Sequence, residues 1–516
     1  MTAAHLDLKP CKPRVCTPPD AALWSRAALG VSAWVCAMRE RTVVIVGAGF
    51  SGSALAINLL RRAQPPLRVL LIDRTQMARG LASARRPYPY LLNVPAGRMS
   101  ADSVEPEAFL HFAQRRLPHA GAADFLPREL YGEYLESLLT DAERGAAAGV
   151  QLERRYGSVI AEERPPRSTR VQVHLADGRI FAADAAVLAL GNPAPAPLPG
   201  CATLRGSLGY HGDPWQEPPQ ARTGESVLVV GAGLTMADVV LAGAANGAKI
   251  SWHALSRRGL IPPPQSGFTH GEHTCDSAPL LAAASVSMRQ LLSAARALAR
   301  AIEARGGDWR EAIAVVRAQA PQLWQRLALR ERQRFLRHVR AYWDLHRHRL
   351  PESSWAALSE LRRTGALQVH AGRLLHLERA GRQIRALYRP RGREAPATLV
   401  VDRVINCTGP DYDIRRTDER LLRSLLARGV ACADPLGLGL MTDARGALMG
   451  RDGRIAAGLF CLGPMLRATH WETTAVAELR EYAAGLAEHL LSVEHVRPLR
   501  SAATSAQATQ AAYAPL

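Results

Sequence analysis

Two glycine-rich segments of this chain have the spacing that lets a backbone bind a diphosphate. The first is the G-x-G-x-x-G of residues 47–52. Its first glycine permits a tight turn, its second lets the backbone approach a pyrophosphate, and its third lets a helix pack on the preceding strand. An acid 21 residues after the last glycine is placed to bind ribose hydroxyls. We predict cofactor contacts here by Gly47, Gly49, Ser51, Gly52, Asp73 and Arg74.

The second glycine-rich segment covers residues 231–238, and the residues after its next strand differ in charge. That strand ends in Ser256-Arg257-Arg258 instead of an acid. A carboxylate there would repel a 2′-phosphate, whereas guanidinium groups bind one through planar, charge-assisted hydrogen bonds. The predicted contacts of this site are Gly231, Gly233, Thr235, Met236, Asp238, Ser256, Arg257 and Arg258.

Two dinucleotide sites in one chain predict two cofactors. Asp73 suits an unphosphorylated ribose, so we assign FAD to the first site. The arginine pair assigns NADPH to the second site. Together they predict an enzyme in which the cofactors carry the redox chemistry and the protein orients them, which explains why no catalytic triad of side chains is evident.

Buried parallel strands must position both glycine turns. Val43–Val46 and Ser226–Val230 are apolar runs typical of strands that are covered on both faces. Residues 185–192, 401–410 and 458–464 each resemble a strand that ends in a small-residue turn. We expect an α/β fold with two Rossmann-like domains, in which an NADPH domain is inserted into a discontinuous FAD domain.

Domain boundaries follow from these strands. The predicted ranges are 39–212 and 395–490 for the FAD domain, 213–394 for the NADPH domain with a helical insert at 278–364, 1–38 for a disordered leader or mis-assigned start, and 491–516 for a disordered tail. Translation from Met1 and from Met38 both stay open. The leader has no convincing signal-peptide cleavage site, so we expect a cytoplasmic protein.

Residues 93–102 are predicted to line the flavin. Asn93 and Ser100 offer hydrogen bonds to the ring, and Arg98 can neutralise a phosphate or a reduced flavin. Residues 469–476 are predicted to open a helix whose N-terminal dipole stabilises negative charge on the flavin. The catalytic candidates are Asn93, Arg98 and His211, and the remaining cofactor contacts are Asn93, Ser100, Thr408, Gly409, Gly463, Trp471 and Thr473. The alternative for residues 93–102 is a structural loop that closes the FAD domain.

The insert at 278–364 has the apolar spacing of amphipathic helices, one of them expected over about residues 321–349. We expect it to cover the flavin and form a substrate pocket. Residues 289–349 hold 14 arginines against 5 acids, within a chain of net charge +19 that has only three lysines. We attribute this arginine bias to genome composition and phosphate sites, and expect no nucleic-acid partner.

Two histidine-containing segments resemble metal sites. In Asp344-x-His346-x-His348 the residues two apart would point to opposite sides of a helix, so they cannot share one ion. His270 and Cys275 belong to an H-x2-H-x-C segment whose spacing provides no fourth zinc ligand. We therefore predict no metal.

The chain resembles bacterial proteins of the FAD/NAD(P)-binding family over about residues 41–485. The segments that carry the resemblance are 93–102, 127–135, 231–238, 340–349 and 471–475. More distantly, the chain is similar to flavin-dependent monooxygenases, including the N-hydroxylating ornithine and lysine enzymes. That likeness implies reduction of FAD by NADPH, formation of a flavin C4a-hydroperoxide with molecular oxygen, and oxygenation of a small nucleophilic metabolite such as an amine or thiol.

One motif departs from the monooxygenase pattern. Class B monooxygenases carry F-x-G-x3-H-x3-W between the two nucleotide sites. Here His211 and Trp215 keep H-x3-W, whereas Leu204 replaces the Phe and the interval from Gly206 to His211 is one residue longer. This variant is the basis for choosing His211, which we expect near the domain hinge with Trp215. The alternative is that these two residues pack a linker.

Three other functions stay open. The first is a flavin reductase that passes electrons to an acceptor without oxygen insertion. The second is an RNA-associated flavoprotein that uses the basic insert, and the third is an inactive scaffold. A hydrophobic content of 47% with 22% charged residues excludes a disordered chain, and no apolar run reaches the length of a membrane-spanning helix.

Overall fold

The fold is described from a computed structural model, which covers residues 39–492 apart from 167, 208, 217–220, 246 and 266–275. In chain order the strands are β1 (Arg41–Val46), β2 (Leu67–Asp73), β3 (Val150–Tyr156), β4 (Val159–Glu163), β5 (Val171–Leu175), β6 (Ile180–Ala183), β7 (Ala185–Leu188), β8 (Tyr210–His211), β9 (Ser226–Val230), β10 (Ser251–Ser256), β11 (Leu367–Ala380), β12 (Gln383–Pro390), β13 (Ala397–Val401), β14 (Arg403–Asn406), β15 (Ala447–Met449) and β16 (Ile455–Cys461). The α-helices are α1 (Phe50–Arg62), α2 (Ala108–Arg116), α3 (Arg128–Arg144), α4 (Leu234–Ala245), α5 (Ala278–Ala284), α6 (Met288–Glu303), α7 (Arg310–Ala318), α8 (Ala320–Arg326), α9 (Leu329–Arg334), α10 (Arg340–Arg347), α11 (Glu352–Arg363), α12 (Arg420–Ala427) and α13 (Val476–Ser492).

The first large sheet has the strand order β15-β16-β7-β1-β2-β3. All neighbours in it are parallel except β15 and β16. Its central strand β1 is a β-branched run that is almost completely buried, as expected for a parallel strand covered on both faces. Helix α1 returns from β1 to β2 and packs against α3 and α13.

The second large sheet has the order β13-β12-β11-β10-β9-β14-β8. Strands β8, β14, β9, β10 and the start of β11 are parallel, whereas β12 and β13 return as antiparallel strands. A small antiparallel sheet, β4-β5-β6, accompanies the first large sheet, and its β5–β6 hairpin turns at Asp177-Gly178. The predicted α/β fold with two Rossmann-like sheets is confirmed.

The sheets correct the predicted domain boundaries. Strands β13 and β14, at 397–406, lie in the second sheet rather than in the FAD domain that was expected to resume at residue 395. The reason is that β14 pairs in parallel with β9 and β8. Strand β8, at 210–211, likewise belongs to the second sheet.

Helices α5 to α11 lie between β10 and β11 and correspond to the predicted insert. The single helix expected over residues 321–349 is instead broken into α8, α9, a π-helical turn at Phe335–Val339 and α10. Trp324 and Phe335 of these helices pack on Trp471, so the insert shares a core with the end of the FAD domain.

Several predictions fall on residues that the structure leaves out. They concern residues 1–38, the segment with His270, His273 and Cys275, and the tail from residue 493 onward. Within the described part of the chain no helix is long and apolar enough to cross a membrane. In that same part no group of His, Cys, Asp and Glu is placed to hold a metal ion.

Candidate functional site

Two glycines of the first turn are packed too tightly to be replaced by a residue with a side chain. Gly47 has a φ of +103°, and a Cβ on it would lie 2.3 Å from the Ala189 carbonyl oxygen at the end of β7. A Cβ on Gly52 would lie 1.9 Å from the Gly47 carbonyl oxygen. Helix α1 begins at Phe50, and no side chain of the described residues caps its N-terminus. Its first amides are therefore available to a phosphate, which is the arrangement that a dinucleotide needs.

Asp73 closes the side of this turn. Its Oδ2 accepts a hydrogen bond of 2.8 Å from the Ala48 amide, and its Oδ1 accepts one of 2.9 Å from the Thr75 amide. A cavity of about 310 Å³ lies next to it, between the loop 75–79, helix α3 and the end of β3. Arg74, in contrast, points to solvent and pairs with Glu419 at 3.0 Å.

Gly463 brings the C-terminal part of the FAD domain to the same turn. Its φ is +105°, and a Cβ on it would lie 2.9 Å from Ser51 Oγ. Downstream, Thr473 is completely buried, and its Oγ1 has no hydrogen-bond partner among the described residues. The predicted helix does not open at Thr469, because residues 471–474 form turns and α13 begins at Val476.

The second glycine turn repeats this geometry. Gly231 has a φ of +111°, and a Cβ on it would lie 2.2 Å from the Cys407 carbonyl oxygen. Gly233 is different, because a Cβ there would meet no atom of the described chain within 4 Å. Thr235 is half-buried in the first turn of α4, whereas Met236 is completely buried in the core, so only its backbone amide is left for a ligand.

Residues after β14 border the second turn. Gly409 has a φ of +83° with open space around it. Thr408 is exposed, and its hydroxyl donates a 2.7 Å hydrogen bond to Asn406 Oδ1. The Asn406 side-chain amide in turn donates a 2.9 Å hydrogen bond to the Ala196 carbonyl. This bond connects the segment after β14 to the segment after β7.

Arginines from three elements gather beyond β10. Burial and the charges of Arg258, Arg340 and Arg373 lower the pKa of Arg257. Arg258 stacks 5.4 Å from the Tyr342 ring centroid. Ser256 Oγ accepts a hydrogen bond from the Gly259 amide, which shapes the turn that presents the two arginines. Sequence spacing indicated the first two arginines but missed Arg340 and Arg373, which come from the insert and from β11.

The Asp238 carboxylate has a partner outside the second nucleotide turn. Its Oδ2 accepts a 2.9 Å hydrogen bond from Arg128 Nη2, at the start of α3 in the FAD domain. Arg128 also donates to the Leu91 carbonyl and lies over the rings of Tyr90 and Trp215. The pair therefore ties helix α4 to the FAD domain.

The segment 93–102 is more structural than predicted. Ser100 is completely buried, and its hydroxyl bonds to the carbonyls of Asp102 and Glu105. Gly97 is required because a Cβ would lie 2.9 Å from the Ala122 Cβ. The Ser100 side chain thus serves the loop.

Asn93, Arg98 and His211 lie in different surroundings. Asn93 is half-buried, and its carbonyl accepts a 3.1 Å hydrogen bond from Gln265 of the second domain. Arg98 lies at the surface. Partial desolvation of its guanidinium, together with the charge of Arg317, lowers the pKa of Arg98. His211 lies on the outer edge strand β8, 3.4 Å from Arg403. The structure thus places His211 at the edge of the second sheet.

Trp471 belongs to a buried aromatic cluster rather than to a nucleotide turn. Its ring packs on Trp324 and Phe335 and lies 4.0 Å from the guanidinium of Arg467. Its Nε1 has no hydrogen-bond partner among the described residues.

A cluster of charged side chains lies where the insert meets the FAD domain, and sequence reasoning missed it. Helix α10 presents Arg340, Asp344 and Arg347 at the i, i+4, i+7 spacing of one helix face. Arg347 pairs with Glu472 at 3.0 Å, and Arg340 pairs with Asp344 at 3.3 Å. The spacing of the charges on α10 was the only sequence signal for this cluster. Glu472, the partner of Arg347, lies far away in the sequence.

His348 follows this helix and is strongly affected by the charges. Burial, helped by Arg347, Arg467 and other arginines, lowers the pKa of His348 to about 3. The neutral imidazole is thus favoured in the folded protein, whereas the unfolded chain takes up a proton near pH 6.5. Stability from this group is therefore lost as pH falls below about 6.5.

Replacing His348 with Asn is expected to remove part of this acid sensitivity. Between pH 7 and pH 5 the variant should lose about 1–2 kcal/mol less unfolding free energy than the parent. Urea denaturation at both pH values measures the difference. His119→Asn is the control, since His119 is exposed. Equal losses in parent and His348→Asn proteins would contradict the assignment.

Comparisons with known proteins agree with this geometry. Residues 44–193 match the model of the FAD-NAD(P)-binding family. No curated protein matches the chain by sequence.

Solved structures match almost the whole length of the chain. L-lysine 6-monooxygenase from Pseudomonas syringae shares 16% identity at a TM-score of 0.60, covering 87% of this chain and 98% of that one. The FAD-bound cadaverine monooxygenase of Erwinia amylovora shares 13% at 0.59, covering 90% and 99%. The ornithine N-hydroxylase of Kutzneria sp. 744 shares 17% at 0.57, covering 88% and 99%.

At these identities the likeness to solved structures establishes the fold. The family match establishes the class of ligand for the first domain, so the predicted FAD/NAD(P)-binding resemblance is confirmed. Residues 44–193 thus resemble an FAD-NAD(P)-binding domain, and the chain has the two-dinucleotide fold that N-hydroxylating monooxygenases also adopt.

Proposed function

We propose that the protein is an NADPH-dependent FAD oxidoreductase, and specifically a monooxygenase that oxygenates a small nucleophilic metabolite such as an amine or thiol. The observation that carries the proposal is a pair of glycine turns, each packed against the backbone carbonyl that follows a neighbouring parallel strand. The structural neighbours named above are monooxygenases or hydroxylases of amines, which supports this choice. The cytoplasmic location and the lack of a nucleic-acid partner stay predictions.

The residues present fit both cofactors. The first turn, Ser51 and Asp73 would hold the diphosphate and ribose of FAD, and Gly231 and Gly233 would hold those of NADPH. Bound FAD would supply the redox and oxygen chemistry. The protein's own contribution is to orient the two dinucleotides, to exclude water through the insert, and to offer donors such as Thr473 Oγ1.

Arg257 and Arg258 are proposed to select NADPH over NADH. Changing both to alanine should raise the KM for NADPH by about 10- to 100-fold, because two charge-assisted contacts to the 2′-phosphate are lost. The KM for NADH should change little. Steady-state oxidation of each nucleotide measures this, with Arg296→Ala as an exposed arginine control on α6. Equal weakening for both nucleotides would contradict the 2′-phosphate assignment.

Rapid mixing tests the function itself. The FAD-loaded protein is reduced by NADPH without oxygen and then mixed with oxygenated buffer. A transient absorbance distinct from both oxidised and reduced flavin supports the monooxygenase. Direct return of oxidised flavin, with one hydrogen peroxide per NADPH under every amine and thiol tested, favours the reductase. A protein that retains no FAD overturns the proposal.

A further inference from the structure

Arg467 is a buried cation whose nearby carboxylates are all engaged elsewhere. It is 8% exposed, on the short helical turn that follows Gly463. Glu472 accepts hydrogen bonds from Trp343 and Arg347, and Asp344 accepts one from Arg340. No ion pair joins Arg467 to any residue that the structure describes, and its Nε has no hydrogen-bond partner there. A buried charge without a partner is strongly unfavourable.

Other buried side chains close to Arg467 in the sequence also lack a hydrogen-bond partner among the described residues. Across residues 467–473, four buried side-chain atoms have no hydrogen-bond partner among the described residues: the Nε of Arg467, the Nδ1 of His470, the Nε1 of Trp471 and the Oγ1 of Thr473. The groups of Arg467, Trp471 and Thr473 each carry a hydrogen to donate, whereas His470 Nδ1 donates in only one tautomer. Native proteins satisfy nearly all buried polar groups, so a cluster of unpaired donors indicates a missing acceptor.

The aromatic surroundings keep the guanidinium in place. Arg467 lies 4.0 Å from the Trp471 ring centroid and 5.2 Å from that of Tyr412. The Tyr412 hydroxyl donates a 2.8 Å hydrogen bond to Asn192 Oδ1. These aromatic rings cover the flat faces of the guanidinium, but they supply no negative charge to balance it. The open requirement is thus a negatively charged group with several acceptor atoms.

We propose that the charged cluster formed by helix α10 and residues 467–473 binds a substrate through an oxyanion, a carboxylate or a phosphate, with Arg467 as its partner. This deepens the proposed function and rests on it, because the oxyanion would orient a metabolite beside the flavin. Oxidised FAD has neutral ring oxygens, and its diphosphate is assigned to the first glycine turn, so the flavin ring itself supplies no counter-charge to Arg467. Arg340 and Arg347 keep their own carboxylate partners and add attraction at longer range.

Four probes of equal chain length test the charge requirement. They are butyrate, monobutyl phosphate, butanol and butylamine, titrated into the oxidised, FAD-loaded full chain and followed by flavin absorbance and tryptophan fluorescence. At least one of the two anions is expected to bind about 10-fold or more tightly than butanol and butylamine. Tighter binding of butyrate indicates a carboxylate site, and tighter binding of monobutyl phosphate indicates a phosphate site. Equal binding of all four probes would overturn the proposal.

Variants assign the binding to Arg467. Arg467→Gln is expected to weaken the favoured anion by about 10- to 100-fold, and Arg467→Lys to restore part of the affinity. Arg296→Gln, exposed on α6, should leave it unchanged. Unfolding midpoints and FAD content of each variant show that the fold is retained. Anion binding that survives Arg467→Gln would overturn the proposal.

Two further readings separate the substrate from the cofactors. If Arg467 instead served the reduced flavin, Arg467→Gln would shift the flavin midpoint potential and leave the anion affinity unchanged. If it served NADPH, the variant would weaken NADP⁺ and NAD⁺ alike. Either pattern overturns the inference. Anion binding is measured on the oxidised enzyme without turnover. A protein that fails the monooxygenase test can therefore still pass or fail the anion-binding test, and the two failures are told apart.

Discussion

Gly47→Ala is expected to give a protein that purifies without FAD and is destabilised by on the order of 3–5 kcal/mol. Gly47 has a φ of +103°, where a Cβ costs about 1–2 kcal/mol. The larger part comes from the 2.3 Å approach of that Cβ to the Ala189 carbonyl oxygen. The turn would have to move away from β7, and the amides of α1 would lose their alignment with the diphosphate.

A matched glycine separates these two contributions. Gly178 has a φ of +88° in the β5–β6 hairpin, but a Cβ there would meet no described atom within 4 Å. Gly178→Ala should therefore cost only about 1–2 kcal/mol and keep its FAD. Flavin absorbance after gel filtration and urea denaturation measure both variants. If Gly47→Ala retained stoichiometric FAD, the close packing of this turn would not matter for binding.

Loss of either partner from the Arg128–Asp238 pair is expected to destabilise the protein by about 3–5 kcal/mol. Both side chains are largely buried, at 17% and 15% exposure, so the remaining charge would have no partner. The double variant Arg128→Met with Asp238→Leu should recover most of the loss, because no charge is then buried. The same single variants should slow flavin reduction by NADPH, since the pair joins α4 to the FAD domain.

The pH dependence of the two single variants should differ. Burial raises the pKa of Asp238, so in Arg128→Met its carboxyl can become neutral as the pH falls. A raised folded-state pKa means that the penalty is present at neutral pH and is relieved between that pKa and about 3.9. In Asp238→Asn the guanidinium stays charged, and its penalty should persist. Urea denaturation at pH 7 and pH 5 provides the comparison; equal penalties at both pH values in Arg128→Met would contradict it.

Local features of the sequence predicted the nucleotide turns well. A glycine is needed at residues 47 and 231 because a positive φ and a close carbonyl exclude a side chain, and that requirement is written in the spacing itself. The β-branched runs that precede both turns became buried parallel strands. These features depend on neighbours within about 30 residues, so periodicity and spacing reveal them.

The structure adds most for side chains whose partners are distant in the sequence. Asp238 follows the second glycine turn and was assigned to the cofactor, but its partner Arg128 lies 110 residues earlier. Ser100 has the chemistry to bind a flavin, yet its hydroxyl is used within its own loop. A residue type shows which bonds a group can make, whereas packing decides which of them it makes.

The sequence by itself determined two dinucleotide turns, the α/β class and the arginine pair after β10. Only the tertiary structure brought helix α10 of the insert against residues 467–473 and left Arg467 without an ion-pair partner among the described residues. The physical reason is that a strand–turn–helix unit is specified by short-range sterics. A cluster of charged side chains such as this one forms only where elements distant in the sequence pack together. Its residues are more than 100 positions apart, so no spacing in the sequence records their contact.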